Sequence, residues 1–574
     1  MAASALESTS AHKRLSPKTV KQSRQAPTWL WGALLTALLG GVYLLVAPPS
    51  GDLAAATYRS DLFARAGLTV WDDGWYLGHA LPAYSLLAPA LGALLGVRVL
   101  LALCAVVAST LFGLISPRAL PRSAARAATL VFAFGFCAEL PSGRVPYDLG
   151  VALALAATLA MTLAAWPATV VLAVATSAAS PVAGAFLALA GVAVALATRL
   201  SGGQARMRDG LLAAAAALAT IMLLALLFPE GGYEPFAASA FWPELAAAVA
   251  IAALLPAGAL SVLGRRTVRI GACLYAIALT ASFLIQTPAG SNVTRLGAMF
   301  GAPIVVGVLW SGTGVSFGRR ANAGRLLLLL LAPLLLYWQL ATAIDDQVAL
   351  AGDPTVHASF YAPLKAELLR LSRETGGHGA GGHPIRVEVP MTNAHWESVY
   401  LPGGSISIAR GWERQLDTRY DALFYGGRLS RSAYRHWLNE NAIAYVALPA
   451  AELDSAGQEE RRLIEGGLPY LGQVWHSSRW RLFAVHDATP LVQAPAQMLQ
   501  IGADSFTLQA PRPGSYEVRL HWTPYWALAS PAAGCVSAAL GGFTEVQARA
   551  AGTIRVEIQF ALDRIFSHSP RCVN

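Results

Sequence analysis

The sequence predicts a polytopic α-helical membrane protein with about 11 transmembrane helices and a C-terminal extracytoplasmic domain. Of its 574 residues, 55% are hydrophobic and only 13% are charged, whereas soluble domains carry about 25% charged residues. Several apolar runs reach about 20 residues, the length that crosses a hydrocarbon core of about 30 Å. Arginine clusters recur in alternate loops between these runs, which is the charge pattern of a multi-pass membrane protein.

The apolar segments lie within residues 28–344, after a polar and basic stretch (1–27) that is predicted to be a disordered cytoplasmic tail. We place the segments at 28–47, 97–115, 124–138, 148–166, 168–180, 181–198, 210–228, 242–263, 270–287, 298–311 and 325–344. Segments 168–180 and 298–311 are short, which indicates helices that are tilted, broken or partly re-entrant.

The loop arginines predict the orientation in the membrane. The loops near residues 122, 200, 266 and 320 are rich in arginine and are expected inside the cell. Residues 200 and 320 should therefore be cytoplasmic, and residues 235 and 400 should be extracytoplasmic. Because the basic residues behind the net charge of +9 lie mainly in these short loops, we exclude nucleic acid as a partner and expect a plasma-membrane protein that contacts lipids.

The C-terminal region is predicted to be soluble and to have two parts. Residues 345–489 mix strand-like and helical runs, as in an α/β fold, and residues 490–574 contain short alternating strands, as in a β-sandwich. The glycine- and histidine-rich stretch 376–384 is predicted to be a flexible linker, because it lacks partners at a metal-binding spacing. Cys535 and Cys572 are predicted to form a disulfide, because they are the two cysteines in an oxidising compartment.

The loop at residues 48–96 carries the densest set of titratable and aromatic residues in the membrane half. Asp52 lies just past the first segment, where a lipid-linked phosphate would meet water, and a carboxylate there can act as a general base. The same aspartate can also be a simple helix N-cap. Asp61 is nine residues further on. If residues 52–66 form a helix, the two carboxylates face opposite ways and one of them is idle.

The aromatic residues of this loop have two interpretations. Trp71 and Trp75, with Tyr76 beside them, either stack on a sugar or form an interfacial aromatic belt. His79 either binds phosphate or relays a proton, or it is a structural histidine. Asp73 lies between the two tryptophans and is assigned to the same substrate-binding set.

Four arginines in the predicted outer loops oppose the positive-inside trend: Arg59 and Arg65 in the first loop, and Arg144 and Arg295 in later loops. Arg144 lies in ELPSGRVPYDLG, and Arg295 lies in TPAGSNVTRLG. Each either contacts a lipid headgroup, pairs with a carboxylate such as Glu139 or Asp148, or forms part of a phosphate clamp. The clamp hypothesis predicts that both arginines approach one cavity, and Asn292 is assigned to the same site.

The order of residues in the first loop resembles a known family. A carboxylate just after the first segment, then W…GWYLGH, then a proline-containing re-entry (LPAYSLLAPALGALLG) is similar to the GT-C superfamily of polyprenyl-phosphate-dependent glycosyltransferases. The similarity is greatest to its branch of bacterial membrane proteins described as 6-pyruvoyl-tetrahydropterin-synthase-related. Asp52, Trp71 and Gly78 follow the order of that branch. The adjacent Asp-Glu pair of some other branches does not occur after the first segment.

The resemblance implies an inverting glycosyltransferase with a GT-C-like helical domain. The donor would be a sugar on polyprenyl phosphate, and the acceptor an envelope glycan or lipid on the outer face of the plasma membrane. Asp52 would be the base, Arg144 and Arg295 would hold the donor phosphate, and the C-terminal domain would bind the acceptor or close the site. Some relatives use a divalent metal, Mg²⁺ or Mn²⁺, and others do not, so the resemblance leaves the cofactor open.

Two non-catalytic functions are the rivals: a membrane transporter, or a scaffold for envelope assembly. Transporters usually carry charges or broken helices near the membrane midplane, whereas the polar residues here cluster in outer loops. A third alternative, a sensor, lacks a recognisable cytoplasmic output module. The sequence therefore favours chemistry at the membrane surface.

Overall fold

A computed structural model describes residues 26–311, 319–375, 382–529, 533–567 and 569–573 of the chain. Residues 1–25 of the predicted tail and residues 376–381 of the predicted linker lie outside the described residues. The rest forms a mostly helical N-terminal bundle and a C-terminal region rich in β-sheet, as the sequence predicts.

The described part of the bundle contains thirteen α-helices and one short hairpin. The helices are α1 Thr28–Val46, α2 Asp52–Ala66, α3 Ala88–Leu95, α4 Val97–Ile115, α5 Arg122–Glu139, α6 Val145–Thr162, α7 Trp166–Ala179, α8 Pro181–Arg199, α9 Gln204–Leu227, α10 Ala238–Leu254, α11 Val262–Leu284, α12 Arg295–Ser311 and α13 Arg319–Leu350. The hairpin strands are β1 Trp71–Asp72 and β2 His79–Ala80.

Nine helical segments among the described residues are long and apolar enough to cross a membrane. Two shorter apolar helices, α7 and α10, lie among them in the chain. These helices correspond in order to the eleven predicted segments. The predicted segment 242–263 is wrong at its C-terminal end, because α10 ends at Leu254, ahead of Pro256 and Gly258.

The loops that the arginine pattern groups together lie at one end of the bundle. The Ser261 N–H donates to the Ala119 carbonyl at 2.8 Å, and Arg266 Nη1 donates to the Leu200 carbonyl at 2.8 Å. The C-terminal region covers the opposite end, which we call the domain face. These contacts show which loops share an end of the bundle, and the side of the membrane that each end faces stays a prediction.

The C-terminal region begins with helices packed around a five-stranded mixed sheet. Its elements are α14 Ala358–Thr375, β3 Ile385–Glu388, α15 Glu397–Tyr400, β4 Ile406–Ile408, α16 Arg414–Tyr420, α17 Arg431–Glu440, β5 Tyr445–Pro449, α18 Ser455–Glu465, β6 Leu471–His476 and β7 Trp480–Val485. The strand order is β4-β3-β5-β7-β6, with β3 parallel to β4 and β5, and β7 antiparallel to β5 and β6. Burial of Val387, Val446 and Leu482 holds this sheet against its helices.

The last part of the chain is a sandwich of two four-stranded antiparallel sheets. Its strands are β8 Gln497–Ile501, β9 Ser505–Ala510, β10 Gly514–His521, β11 Trp526–Leu528, β12 Gly534–Ala538, β13 Phe543–Ala548, β14 Gly552–Ile558 and β15 Arg571–Val573. The sheets have the orders β10-β13-β12-β15 and β11-β14-β9-β8. Alternate residues such as Phe506, Val518 and Val556 point inward and are buried, which is the period-two pattern of a sandwich strand.

The predicted disulfide between Cys535 and Cys572 is present. The two cysteines lie directly opposite each other on the antiparallel strands β12 and β15. Because β15 has only three residues, few hydrogen bonds hold it to β12, and the disulfide adds a covalent link between the two strands.

We expect the Cys572→Ser variant to lose about 4 kcal/mol of unfolding free energy, since the bond closes 37 residues of chain. Denaturant unfolding of both proteins, with and without reductant, measures this loss. Reductant should weaken only the wild type. Alkylation of Cys535 or Cys572 in the untreated wild-type protein would contradict the bond.

The Trp71–Ala80 hairpin lies where the bundle meets the C-terminal region. On the side of the five-stranded sheet, Trp75 Nε1 donates to the Ser398 carbonyl at 2.9 Å. The Ile408 N–H donates to the Gly74 carbonyl at 3.1 Å. The hairpin therefore forms part of the interface between the bundle and the α/β part.

The same hairpin also contacts the sandwich. The Asp73 N–H donates to the Ala503 carbonyl at 2.7 Å, and the His521 N–H donates to the Leu77 carbonyl at 2.8 Å. Trp71 packs in the sandwich core, where its ring meets Trp526 edge-on at 6.0 Å. The first loop thus joins all three parts of the fold.

Candidate functional site

A cavity of about 1030 Å³ lies between the domain face of the bundle and the α/β part. Its volume is at the upper end of the range for ligand pockets, about 300–1,000 Å³. Asp52, Arg144, Asn292 and Arg295 all line it. The prediction that Arg144 and Arg295 approach one cavity is therefore confirmed, while their roles stay predictions.

Asp52 is the first residue of α2 and is not its N-cap. Gly51 occupies the N-cap position, and the Ser50 hydroxyl accepts a hydrogen bond from an N–H of the first turn at 3.3 Å. The Asp52 carboxylate instead accepts hydrogen bonds from Arg144 Nε and Trp412 Nε1, each at 3.2 Å. The alternative in which Asp52 is a simple N-cap is wrong, because Gly51 holds that position and the Ser50 hydroxyl supplies the capping contact.

Arg144 reaches Asp52 because the turn before it packs against the start of α2. Gly143 has φ +77°, and a Cβ on it would lie 2.4 Å from Ser50 Oγ, so only glycine fits without displacement. The Arg144 guanidinium also donates from Nη1 to Glu139 at 2.5 Å. Burial lowers the pKa of Arg144. The carboxylates of Glu139 and Asp52 raise that pKa by a larger amount, so the net shift is upward. The arginine therefore stays charged.

Arg295 differs from the other arginines of the cavity wall. Arg144 pairs with two carboxylates, and Arg414 pairs with Asp454 at 2.9 Å. Within the described ranges, the Arg295 guanidinium has no hydrogen bond or ion pair, and it lies over the Tyr147 ring at 5.3 Å. Arg295 is also the first residue of α12, where the helix dipole favours an anion. Its surroundings therefore leave a positive charge available to a ligand.

Glu234 is a cavity carboxylate that the sequence did not identify. Its loop is held against the turn before α12: the Glu234 N–H donates to the Thr287 carbonyl at 3.0 Å, and Ser291 Oγ donates to the carboxylate at 3.3 Å. Gly290 permits this approach, because it has φ +40° and a Cβ there would lie 1.9 Å from the Glu234 carbonyl oxygen. Burial raises the pKa of the Glu234 carboxyl, and Arg414 and Arg295 lower it in part.

The α/β part supplies one wall of the cavity, through residues 412–415. Trp412 is held by stacking on the His395 ring, with the ring centroids 3.4 Å apart. Glu413 forms a buried ion pair with Arg59 of α2. The position of this wall depends on docking of the two parts of the chain, so a local sequence pattern gives no signal for it.

Glu230 connects the cavity to the hairpin. Its carboxylate accepts hydrogen bonds from the Ala80 N–H and from the Tyr420 hydroxyl. Burial raises the pKa of the Glu230 carboxyl from 4.5 to about 7. The folded protein therefore binds this proton more tightly than the unfolded chain does.

The sign of the pH effect follows from that shift. The contribution of Glu230 to the unfolding free energy is complete below pH 4.5 and is lost as the pH rises to about 7. Glu230→Gln keeps the acceptor for Ala80, so we expect it to stabilise the protein at pH 8 relative to wild type by up to about 3 kcal/mol. Thermal unfolding from pH 4 to pH 8 measures the difference, with the exposed Glu452→Gln as the control. Parallel pH profiles for wild type and Glu230→Gln would contradict the prediction.

The structure does not bring Asp61 to the cavity. Asp61 lies on the exposed side of α2, away from Asp52, as expected for two residues nine positions apart in one helix. Of the two candidate bases, only Asp52 lines the site.

The predicted substrate-binding residues of the first loop also lie outside the cavity. Trp71, Asp73, Trp75 and His79 are all at most 5% exposed. They have no free face for a sugar or a lipid, so neither the stacking wall nor the interfacial belt describes them. The Trp75 ring stacks on Tyr58 with centroids 4.2 Å apart.

Two of these residues are buried titratable groups. Burial lowers the pKa of His79 to about 3, so the ring is neutral at physiological pH. Burial also raises the pKa of Asp73 well above its usual range, and the hydrogen bond from Trp71 opposes this shift. Both side chains are buried in the hairpin, which meets the sandwich through the backbone N–H of Asp73.

The cavity carboxylates do not form a metal-binding cluster. In the part of the chain that the structure describes, no three His, Cys, Asp or Glu side chains are grouped closely enough to hold an ion. Asp52 is engaged by an arginine and a tryptophan, which are not the neighbours of a metal ligand. Among the described residues, the lining of the cavity therefore does not fit a divalent metal ion.

Comparison with known proteins does not assign the chain to a family. A scan against protein-family models and a search of curated proteins both give no match for the chain.

Proposed function

We propose that this protein is an inverting membrane glycosyltransferase that takes a sugar from a polyprenyl-phosphate donor. The observation that carries the proposal is that one cavity holds both a carboxylate at a helix start and an arginine that makes no hydrogen bond or ion pair with the described residues. Arg295 offers an anion site and Asp52 offers a proton acceptor, and both line the same space. The resemblance of the first loop to the GT-C superfamily supports the same assignment.

The cavity has the two kinds of wall that an amphipathic donor needs. Charged side chains lie toward the domain face, at the start of α2, just before α6 and at the start of α12. The opposite walls are apolar and come from helices of the bundle, through Val182, Leu218, Ile221, Leu224, Met299 and Trp338. An isoprenoid chain fits the second surface and a sugar phosphate fits the first.

The reaction needs one proton transfer and one displacement. The Asp52 carboxylate accepts the proton of the acceptor hydroxyl, and that oxygen forms a bond to the anomeric carbon of the sugar. The bond from the anomeric carbon to the phosphate oxygen breaks, and polyprenyl phosphate leaves with the electron pair. Arg295 and Arg144 stabilise the charge that develops on the leaving phosphate. Attack from the face opposite the phosphate inverts the anomeric centre.

Asp52 is available for this role only when its contact with Arg144 loosens. A donor phosphate at Arg295 would compete for the Arg144 guanidinium, because a phosphate accepts several charge-assisted hydrogen bonds. Glu139 would keep Arg144 in place during the exchange. Donor binding would thus free the base for the acceptor.

The α/β part closes the cavity opposite the bundle and is the proposed acceptor side. Its segment 412–415 contributes an indole, a carboxylate, a guanidinium and an amide to the wall. Indoles stack on sugar rings, and the amide and the charges offer hydrogen bonds. On this proposal the helices span the plasma membrane and the cavity opens on the extracytoplasmic side, toward an envelope glycan or lipid.

A transporter or a scaffold is less well supported. The cavity charges lie at the ends of helices on the domain face, and a transport site would place them near the midplane. A scaffold would not require an arginine that lines a cavity and makes no hydrogen bond or ion pair among the described residues.

The direct test is sugar transfer by the purified full-length protein in liposomes. Polyprenyl phosphates carrying labelled mannose, arabinose, galactose or glucosamine are supplied with envelope extract as the acceptor. The expected result is labelled product with inverted anomeric configuration. Binding of polyprenyl phosphate is measured in parallel by native mass spectrometry. Absence of both binding and transfer would reject the proposal, and saturable binding without transfer would favour a transporter.

A further inference from the structure

The end of the sandwich that faces the bundle carries a set of exposed apolar side chains. Leu540 is 94% exposed, Phe560 44%, Leu562 69% and Phe566 80%. We call these four residues the apolar rim. Among the described residues after Leu350, six large apolar side chains are exposed, and four of them belong to this rim. Such a concentration marks an interaction surface.

The rim lies at the level where a bundle helix ends. Phe560 stacks on Phe228, which directly follows α9, with ring centroids 5.9 Å apart. The Tyr525 hydroxyl donates to the carbonyl of Leu227, the last residue of α9, at 2.8 Å. Because α9 is long and apolar enough to cross a membrane, its end defines the height of the bilayer surface.

Leu540 belongs to the same end of the sandwich, although it is distant in sequence from the other three. It lies in the turn between β12 and β13. The first residue of β13, Phe543, pairs with His521, the last residue of β10. His521 in turn bonds the hairpin of the bundle at Leu77. The turn is therefore next to the bundle.

The segment that carries Leu562 and Phe566 is held in a fixed conformation. Arg564 between them is buried and donates to the Pro524 carbonyl at 3.2 Å and the Ser569 carbonyl at 2.7 Å. The two apolar side chains on either side are directed outward. This is the arrangement of an interfacial segment, with a polar side bonded to protein and an apolar side free.

The opposite end of the sandwich has a different character. Its turn between β13 and β14 consists of Arg549, Ala550 and Ala551, all exposed. Strand β13 has six residues, so this turn lies about 20 Å from the rim. The contrast between the two ends argues that the rim faces something apolar that the distal turn does not reach.

We propose that the apolar rim inserts into the interface of the bilayer that the bundle spans, so that the partner of this surface is lipid. The sandwich then contacts both the membrane and the bundle. These two contacts together fix its distance from the acyl chains. This inference requires the bundle to lie in a membrane, but it does not depend on glycosyl transfer.

The test places a nitroxide spin label at single positions of the full-length protein in liposomes of phosphatidylethanolamine and phosphatidylglycerol. The background variant is Cys273→Ser, because Cys273 is exposed while Cys104 and Cys137 are buried. Labels are attached through Leu562→Cys and Phe566→Cys, with Ala550→Cys as the matched control. We expect several-fold less collision with a water-soluble nickel complex, and more with oxygen, at the rim positions than at Ala550.

A second measurement avoids new cysteines near the disulfide. Benzoylphenylalanine at Phe566 or Ala550 is irradiated, and the products are identified by mass spectrometry. The expected product is a lipid adduct at Phe566 only. Equal nickel access at the rim and at the control, or a crosslink from Phe566 to protein instead of lipid, would overturn the proposal. Because neither measurement uses a sugar donor, failure here is separable from failure of the transferase assignment.

Discussion

Replacing Arg295 with glutamine is expected to lower kcat/KM for sugar transfer by about 10²–10³-fold, the scale for removing one charged donor from a developing anion. The loss should also appear as weaker binding of polyprenyl phosphate itself. Folding should be unaffected, because the guanidinium has no ion pair or hydrogen bond within the described residues, and its removal leaves no carboxylate unpaired.

The matched control for this variant is Arg65→Gln. Arg65 lies on the exposed end of α2 and does not line the cavity, so its loss should change transfer little. Arg144→Gln is a poorer test, because it leaves both Asp52 and Glu139 without their partner. Donor binding by Arg295→Gln equal to that of wild type would remove Arg295 from the phosphate site.

Asp52→Asn is expected to reduce transfer by about 10²-fold or more, the usual effect of losing a general base. Asparagine keeps an oxygen for the Trp412 N–H, and Arg144 keeps Glu139, so the site should remain assembled. Donor affinity should therefore stay close to that of wild type. Single-turnover transfer at saturating donor separates the two quantities.

Two other carboxylates complete the experiment. Asp61→Asn should transfer like wild type, because Asp61 is exposed and outside the cavity. Glu234→Gln is the informative competitor, because the Glu234 carboxyl lines the cavity and its pKa is raised by burial. Normal transfer by Asp52→Asn together with loss in Glu234→Gln would move the base to Glu234. Normal transfer by both variants would leave the cavity without a proton acceptor among these candidates.

The helices of the bundle were largely predictable, because each long apolar run in the sequence predicts a helix without information from the rest of the chain. Helix α4 begins and ends at the predicted residues 97 and 115. The error at α10 arose because apolar residues continue past Pro256, although the chain has already left the helix. Hydrophobicity alone therefore does not locate a break that backbone geometry imposes.

The site was predictable in part, from the position of Asp52 just past the first apolar segment and from arginines that oppose a general trend. Arg144 and Arg295 stand out because arginine is unexpected in loops that are predicted to be on the outer side, and both line the cavity. Glu234 and Trp412 lie in other loops and reach the cavity through tertiary docking, which a local pattern does not encode. The tight loop FPEGGYEP, with two carboxylates between glycines and prolines, was the available signal for Glu234.

The aromatic hairpin was misassigned for a related reason. A cluster of tryptophans beside aspartates is typical both of a sugar site and of a buried interface between domains. The composition is the same in the two cases, and only burial distinguishes them. Here Trp75 is fully buried against Tyr58 and the Ser398 carbonyl.

The position of this hairpin also has a consequence for biosynthesis. Gly78 is bonded by His521, which follows it by 443 residues. At a synthesis rate of about 5–20 residues per second, the hairpin waits on the order of 20–90 s for its partner to leave the ribosome. During that interval the hairpin lacks the contacts that His521 of the sandwich makes with Leu77 and Gly78. The contacts between the hairpin and the sandwich can therefore form only when most of the chain has been made, so the hairpin reaches its fully buried state late in synthesis.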